Sequence, residues 1–225
     1  MAEIVPLDQA VRELVNDGDA VALEGFTHLI PHAAGHEVRT QGKRRMTPDV
    51  VYDQLIGMGC AQKLVFSWGG NPGVGSLHRL RDAVEHDWPE PLELEEHSHA
   101  GMAAGYAAGA SNFPFGLVRG YEGTGLAERT NVGWVTCPFT GERLAAVPAI
   151  RPDVGVIHAQ QADARGNVQL WGISGVQKEV VLGAKRSIVT VEEIVEELDQ
   201  KPGSTQLPAW TVTAVGVCPG GAHPS

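Results

Sequence analysis

The sequence predicts an α/β fold in which one sheet lies between two layers of helices. Short apolar runs typical of buried strands recur along the 225 residues, and most are separated by helical or loop segments. Strands that alternate with helices are typical of sheets covered on both faces, in a doubly wound order. Glycine accounts for 28 residues, above the average share of about 7%. Many of these glycines directly follow an apolar run, where the chain can turn sharply.

The first half of the chain alternates between helix and strand. A helix is predicted around residues 11–15, because apolar residues have helical spacing there and an Asn-Asp-Gly turn follows. A strand at 20–23 precedes a helix that begins at Pro31, since proline is favoured in a first helical turn. The further predicted elements of this half are a strand at 63–67, a helix at 77–86, a strand at 91–98 and an alanine-rich helix at 100–110.

The second half contains further short apolar runs. The predicted strands lie at residues 115–118, 132–136, 154–159, 187–191 and 210–217. The acidic stretch 192–199 keeps Ile194, Val195 and Leu198 at helical spacing, which predicts a solvated face, with contact to a partner chain as the alternative. No repeat or long Pro- or Ser-rich linker interrupts the sequence, so we expect a single domain over residues 1–225.

The charge balance excludes some functions. The chain has 17 Lys and Arg against 27 Asp and Glu, a net charge of -10, which argues against a nucleic-acid surface and an anionic membrane. Lys43, Arg44 and Arg45 form the tightest basic cluster, and we interpret it as a solvated loop rather than a phosphate site.

The cysteines and the amino terminus predict a cytoplasmic protein. Cys60, Cys137 and Cys218 are far apart and form no CxxC pair, so we expect no disulfides and a reducing compartment. The sequence begins without a basic stretch followed by an apolar core, and no run of about 18 apolar residues occurs.

Three loops that follow predicted strands are candidates for a ligand site. They span residues 24–28, 68–76 and 160–172. Ligands of open α/β sheets bind beyond the carboxyl ends of strands, so we expect the three loops to converge on one cleft. The glycines of the second loop match neither GxGxxG nor GxxxxGKS, which leaves nucleotide binding unsupported. That these glycines only shape turns remains an alternative.

The histidines raise the hypothesis of a metal site. His28, His32 and His36 recur every four residues, and two further histidines flank Ser98. Because Pro31 precedes His32, we expect His28 to lie in the loop and outside the helix. The sequence has no HExxH pattern. We therefore favour structural or surface histidines and predict no metal.

Nucleophilic catalysis by serine or cysteine has little support. The GxSxG pattern is absent, and neither Ser67 nor Ser76 has the setting of a nucleophile elbow. Cys137 precedes Pro138 where a strand is predicted to end, and we interpret it as a buried structural thiol.

Five dispersed motifs share a known pattern. They are DGDAVALEGF at 17–26, GNPGVGS at 70–76, CPFTGE at 137–142, HAQQADARGN at 158–167 and AVGVCPGGAHP at 214–224. Together, in this order, they resemble the alpha subunit of a family I coenzyme A transferase, most closely the glutaconate type. Glu96 and His97 also precede the FPF at 113–115 at the distance found in glutaconate-type chains. The resemblance implies a three-layer α/β/α sheet of the CoA-transferase type.

The resemblance also implies a division of labour between two chains. In such enzymes a glutamate of the beta subunit, within a Ser-Glu-Asn-Gly stretch, attacks the acyl-CoA and becomes a glutamyl-CoA thioester. No SENG occurs here, so this chain is expected to carry no nucleophile and to require a beta subunit. Coenzyme A is then a substrate, and no permanently bound cofactor is expected. The implied contacts to the acyl group come from Gly25, Phe26, Thr27, Gly69, Gly70 and Asn71.

The sequence departs from the family pattern near the first motif. Glu24 replaces the first glycine of a usual GGF, and Pro31 comes one residue early. The family pattern has a short apolar strand between Lys43 and Met46, but here QGKRR runs directly into MTPD, so either the strand is lost or residues are missing from the sequence at this point. Two other functions therefore remain open. One is a ring-cleaving CoA-ester hydrolase with Glu96, or less readily Glu24, as the base; the other is a non-catalytic acyl-CoA-binding protein.

Overall fold

The protein is a three-layer α/β/α sandwich in a computed structural model that describes residues 2–25, 28–43, 47–48, 52–70, 76–199 and 201–224. The strands are β1 (Glu3–Ile4), β2 (Val21–Glu24), β3 (Thr47–Pro48), β4 (Lys63–Phe66), β5 (Glu93–Glu96), β6 (Phe115–Val118), β7 (Gly133–Thr136), β8 (Arg143–Pro148), β9 (Val154–Asp163), β10 (Val168–Leu170), β11 (Arg186–Val195), β12 (Thr205–Leu207) and β13 (Ala214–Val217). The helices are α1 (Leu7–Leu14), α2 (His32–Thr40), α3 (Tyr52–Gly57), α4 (His78–His86), α5 (His99–Ala110) and α6 (Gln177–Gly183).

The central sheet is parallel on one side and antiparallel on the other. Strands β1, β13, β11, β9, β2 and β3 are neighbours in this order and all run parallel. Strand β10 pairs antiparallel with the far end of β9, and β12 pairs antiparallel with β10. The ten-residue β9 pairs with β11 from one end to the other on one edge. On its other edge, β9 pairs with β2 at its start and with β10 at its end.

Alternation along the strands divides the core into two layers. Val21 and Leu23 of β2 pack with α1, α2 and α3, whereas Ala22 between them packs on the opposite face with α5 and α6. Successive side chains of a strand point to opposite faces, so a strand covered by helices on both sides is apolar at every position. The predicted three-layer α/β/α sheet is confirmed.

Two smaller sheets lie outside the central one in the described residues. Strands β4 and β5 form a parallel pair beside β3, and β6, β8 and β7 form an antiparallel sheet that packs on α5. The predicted strands at 115–118 and 132–136 are present, but they belong to this antiparallel sheet and not to a doubly wound series. Their partner β8 was not predicted, because Arg143 and Pro148 at its ends obscured a short apolar core.

The interpretation of the acidic stretch 192–199 as having a helical apolar face is wrong. Residues 192–195 continue β11, and Glu193, Ile194 and Val195 stand opposite residues 161–163 of β9. Ile194 and Val195 consequently point to opposite faces of the sheet. Pairing with an unusually long neighbouring strand overrides the helical spacing, which is a tertiary effect that local sequence does not record.

The segment between Lys43 and Met46, where the sequence lacks the apolar strand of the family pattern, falls on residues 44–46, outside the described residues. The two-residue β3 that follows it pairs with Ala22 and Leu23 of β2. The strand predicted at 210–217 is a 3-10 turn at Ala209–Thr211 followed by β13. The turn forms because the Thr211 and Val212 amides bond to the carbonyls of Pro208 and Ala209.

Candidate functional site

A slot in the central sheet lies where β2 and β10 end on the same edge of β9. Strand β2 pairs with β9 up to Ile157, and β10 pairs with it from Gln161 onward. The chain turns away from this edge after Glu24 on one side and after Leu170 on the other. A change of strand direction at the carboxyl end of a parallel strand is where α/β sheets bind ligands.

Gly25 makes the turn at the end of β2 possible. A Cβ at this position would lie 2.5 Å from the Cα of Ile30 and 2.7 Å from the carbonyl oxygen of Leu29. Leu29 itself has a φ of 57°, in the left-handed region that side chains rarely adopt. Leu29 and Ile30 are nonetheless buried, so packing holds the turn against Gly25. Phe26 and Thr27 lie outside the described residues.

The first and third predicted loops meet at the slot. The backbone N–H of Val176, which precedes α6, donates to Oε1 of Glu24 at 3.1 Å. His28 lies against Gly172, whose φ of 102° and lack of a side chain leave room for the imidazole; a Cβ there would be 2.7 Å from Nε2. Glu24, the residue that departs from the family pattern, thus holds the segment before α6 to the end of β2.

The second predicted loop follows β4, in the neighbouring two-stranded sheet. Gly69 packs against the side chains of Phe66 and Leu80, and Gly70 packs against the ring of Trp68. Both glycines approach side chains so closely that a Cβ would be crowded. Asn71 lies outside the described residues. The roles assigned to Gly25, Gly69 and Gly70 in binding the acyl group remain predictions.

The tip of the third loop is a hairpin turn between β9 and β10. Oδ1 of Asp163 accepts the backbone N–H groups of Arg165 and Asn167, each at 2.9 Å, and Oδ2 accepts Nδ2 of Asn167 at 2.7 Å. Burial acts to raise the pKa of Asp163, but these hydrogen bonds outweigh it and the pKa is lowered. The ADARGN motif therefore builds a hairpin, and only the end of the loop near Gly172 reaches the slot.

Glu96 and His97 point in different directions. Glu96 is exposed, whereas His97 is buried and bonds through Nε2 to Glu95 at 3.0 Å and through Nδ1 to the Tyr121 hydroxyl at 3.1 Å. Glu95 and His97 alternate onto one face of β5 and Glu96 onto the other. Sequence reasoning selected Glu96 and missed Glu95, although the strand period could have paired Glu95 with His97. A catalytic role for Glu96 stays a prediction.

A pocket of about 210 Å³ lies beside this Glu95–His97 pair. Ala20, Val21 and Ala22 line it together with Tyr106 and the segment 148–152. These residues lie toward the amino end of β2, away from the slot beyond Glu24.

A row of polar side chains crosses the sheet behind the slot. His158 of β9 is completely buried, with Nδ1 2.8 Å from Oγ1 of Thr190 and Nε2 2.8 Å from Oε1 of Glu192. Oε2 of Glu192 accepts the backbone N–H of Gly220 at 2.7 Å. This row was not predicted from the sequence. The available signal was polar residues, His158 and Thr190, each placed between apolar neighbours in the middle of a strand.

The early histidines surround the start of α2. His28 precedes the helix, as predicted, while His32 and His36 lie on it with ring centroids 6.4 Å apart. Burial lowers the pKa of His32, and the neighbouring His36 and His223 lower it further. Within the described ranges, no three His, Cys, Asp or Glu side chains are grouped as a metal ion would require.

All three cysteines are free thiols in this structure. Cys60 is buried, but the interpretation of Cys137 as a buried thiol is wrong. Cys137 is partly exposed because it begins the surface turn between β7 and β8, closed by the bond from the Gly141 N–H to the Cys137 carbonyl. The side chain of Thr140 and the nearby backbone lower the pKa of this thiol.

The fold and the slot define a three-layer α/β/α protein with a ligand cleft at the carboxyl ends of its parallel strands. Residues 5–217 match the family model described as Coenzyme A transferase. The chain belongs to this family. None of the helices in the described part of the chain has the length and apolar character needed to cross a membrane.

The chain is similar to subunits of three enzymes. One chain of the 3-oxoadipate CoA-transferase of Pseudomonas knackmussii is 63% identical over 231 residues, covering 100% of this chain and 82% of the relative. The corresponding chain of the glutaconate CoA-transferase of Acidaminococcus fermentans is 32% identical over 251 residues, covering 100% and 78%. The crystal structure of that enzyme matches with a TM-score of 0.90. The cholesterol ring-cleaving hydrolase IpdA subunit of Mycobacterium tuberculosis is 30% identical over 144 residues, covering 59% and 49%.

Proposed function

We propose that this chain is the alpha subunit of a heteromeric CoA-transferase that moves coenzyme A between an acyl-CoA and a dicarboxylic oxo acid of the 3-oxoadipate type. The observation that carries the proposal is the 63% identity to a chain of the 3-oxoadipate CoA-transferase, which extends over the whole of this one. Residues 1–225 act as one domain. Coenzyme A is a substrate and not a resident cofactor, and the unpaired cysteines suit a reducing cytoplasm.

The covalent chemistry takes place on a glutamate of the beta subunit. Its carboxylate oxygen attacks the thioester carbonyl, the C–S bond breaks and the CoA thiolate leaves, giving an acyl-glutamyl anhydride. The thiolate then attacks the glutamyl carbonyl and releases the acyl group as a carboxylate. The acceptor acid reverses these two steps and departs as the new acyl-CoA, so no oxidant, metal or net proton is needed.

This chain supplies one wall of the cleft. Gly25 and the segment 28–30 that packs on it lie at the slot, where backbone N–H groups can bond to an acyl oxygen as charge develops on it. Gly69 and Gly70, at the end of β4, are assigned to the same wall. The bond between Glu24 and the Val176 N–H supports a role for Glu24 in shaping this wall.

Co-expression with the beta chain tests the proposal. We expect the purified complex to convert 3-oxoadipate and a dicarboxylic acyl-CoA donor into 3-oxoadipyl-CoA. Borohydride or hydroxylamine should trap a glutamyl thioester on the beta chain and not on this one. Parallel assays with shorter dicarboxylic oxo acids as acceptors test which chain length the enzyme prefers.

A hydrolase is the second candidate function. The half-buried carboxylate of Glu24, in place of a family glycine, and the similarity to the ring-cleaving hydrolase chain favour it. Consumption of acyl-CoA with release of free CoA, and no transfer to any acid, would replace the transferase proposal with this one. Binding of acyl-CoA without turnover would instead identify a non-catalytic binding protein.

A further inference from the structure

The hydrogen bond between His158 and Glu192 in the polar row behind the slot can have only one donor. The carboxylate of Glu192 can only accept, so Nε2 of His158 carries the proton of that bond. Burial lowers the pKa of His158, although Glu192 acts to raise it, so the ring is neutral near pH 7. In that tautomer Nδ1 accepts from the hydroxyl of Thr190, whose Oγ1 also lies 3.4 Å from the carbonyl oxygen of Ile157.

Glu192 is the charged end of the row. Burial acts to raise its pKa, but the bonds from the Gly220 N–H and from His158 outweigh this and lower it overall. Its side chain is 39% exposed and both of its oxygens accept a hydrogen bond. The ionised carboxylate thus joins the end of β11 to the loop that follows β13.

The loop after β13 connects the polar row to helix α2, which borders the slot. Gly221 packs on the imidazole of His158, and a Cβ there would lie 2.9 Å from Cε1. The carbonyl of Gly221 accepts the backbone N–H of Ala33 in the first turn of α2 at 2.9 Å. Helix α2 directly follows the turn that packs on Gly25.

We propose that Glu192 and His158 are positioning residues for the acyl-CoA cleft. By docking residues 218–222 on the sheet, they fix the first turn of α2 and, through it, the turn at the end of β2. This inference rests on the proposed function for what the cleft binds. The mechanical connection itself is independent of the substrate.

Two conservative substitutions and one control test this role in the co-purified complex. Glu192→Gln keeps the shape of the side chain but replaces the charged acceptor with a neutral amide. The bond from Gly220 then loses its charge, and the bond to His158 is kept only if the imidazole changes tautomer. Thr190→Val removes only the hydroxyl. The control is Glu193→Gln, the adjacent residue of β11, whose Oε1 accepts Nε2 of Gln161 on the exposed side.

We expect both test variants to raise KM for acyl-CoA about tenfold, with kcat per trapped glutamyl site within about threefold of wild type. Glu193→Gln should leave both constants unchanged. Partial unfolding would lower the number of trapped sites but would not raise KM. A KM for Glu192→Gln that equals that of the control overturns the inference.

Hydrogen exchange tests the mechanical connection without activity. In Glu192→Gln, amides of residues 218–222 and of the first turn of α2 should both exchange at least about tenfold faster than in the control. Faster exchange confined to 218–222 overturns the inference. If the wild-type complex transfers no CoA, the proposed function fails, while the exchange result still decides whether Glu192 and His158 hold α2.

Discussion

The backbone of Ile30 lies so close to Gly25 that a Cβ on residue 25 would come within 2.5 Å of the Ile30 Cα. The atoms that block it belong to the backbone and cannot rotate away. Gly25→Ala should therefore lower the free energy of unfolding by about 3 kcal/mol and open the turn at the slot. Denaturant unfolding measures the first effect and KM for acyl-CoA the second.

Gly125→Ala is the matched control for this substitution. A Cβ on Gly125 would meet no atom within 4 Å, so the stability should change by less than about 0.5 kcal/mol. An unfolding midpoint for Gly25→Ala equal to that of Gly125→Ala would contradict the packing of the turn described above.

Substitutions of Glu24 distinguish the proposed transferase from the alternative hydrolase. Glu24→Gln keeps an oxygen that can accept the Val176 N–H, so transfer should remain within about threefold of wild type if Glu24 shapes the loop. Glu24→Ala removes the acceptor and should raise KM for acyl-CoA about tenfold. Steady-state assays of CoA transfer and of CoA release compare the two. A loss of about a hundredfold in Glu24→Gln would instead indicate general-base catalysis.

Asp163 should matter for stability and little for catalysis. Asp163→Ala removes three hydrogen bonds from the β9–β10 turn and should cost about 2 to 4 kcal/mol of unfolding free energy. Because this turn is at the far end of the hairpin, kcat per trapped site should be unchanged. Glu197→Ala, at an exposed carboxylate after β11, is the control. A large fall in kcat per site would place the ADARGN tip in the active centre.

Acid should destabilise the protein through its buried histidines. His32 is 8% exposed, and burial, followed by His36 and His223, lowers its pKa below the ordinary value of 6.5. As pH falls through about 6.5, the unfolded chain takes up the proton before the folded one, so stability falls. Burial also lowers the pKa of His158, so this histidine adds to the loss of stability over the same pH range. Glu192 and Asp163 have lowered pKa values as well, and their protonation below about pH 4.5 reduces the stability further.

The histidine contribution can be isolated by substitution. His32→Asn should reduce the loss of unfolding free energy between about pH 7.5 and about pH 5.5, measured by urea titration, relative to wild type. His78→Asn, at an exposed histidine that begins α4, is the control substitution. Identical slopes for the two variants would mean that His32 does not contribute.

The sequence predicted most elements whose local pattern agrees with their packing. The strand at 115–118 has the predicted bounds, and the helix predicted at 100–110 spans His99–Ala110. The errors have physical causes outside the local sequence. Residues 192–195 are strand because they pair with β9, and Cys137 is partly exposed because its hairpin lies at the surface.

The site was predicted in outline but not in its supporting contacts. A glycine directly after an apolar strand predicted the turn at Gly25, because a close approach of two backbone segments requires a residue without a side chain. The bond from Val176 to Glu24 joins residues 152 positions apart, and no spacing rule reveals such a contact. The Thr190–His158–Glu192 row was missed for the same reason, since its members become neighbours only when β9 and β11 align.

The length of β9 relative to β2 sets the place of the slot along the sheet. Strand β2 covers four residues of that edge and β10 covers two, and the uncovered stretch around His158–Gln160 separates them. Residues inserted at the tip of the β9–β10 hairpin would extend the tip beyond the sheet and leave Gly172 beside His28, because the register keeps Gln169 opposite Gln161. The width of the slot is therefore set by the pairing registers of β2 and β10 along β9, so that a change of register, and not a longer surface hairpin, would widen or narrow it.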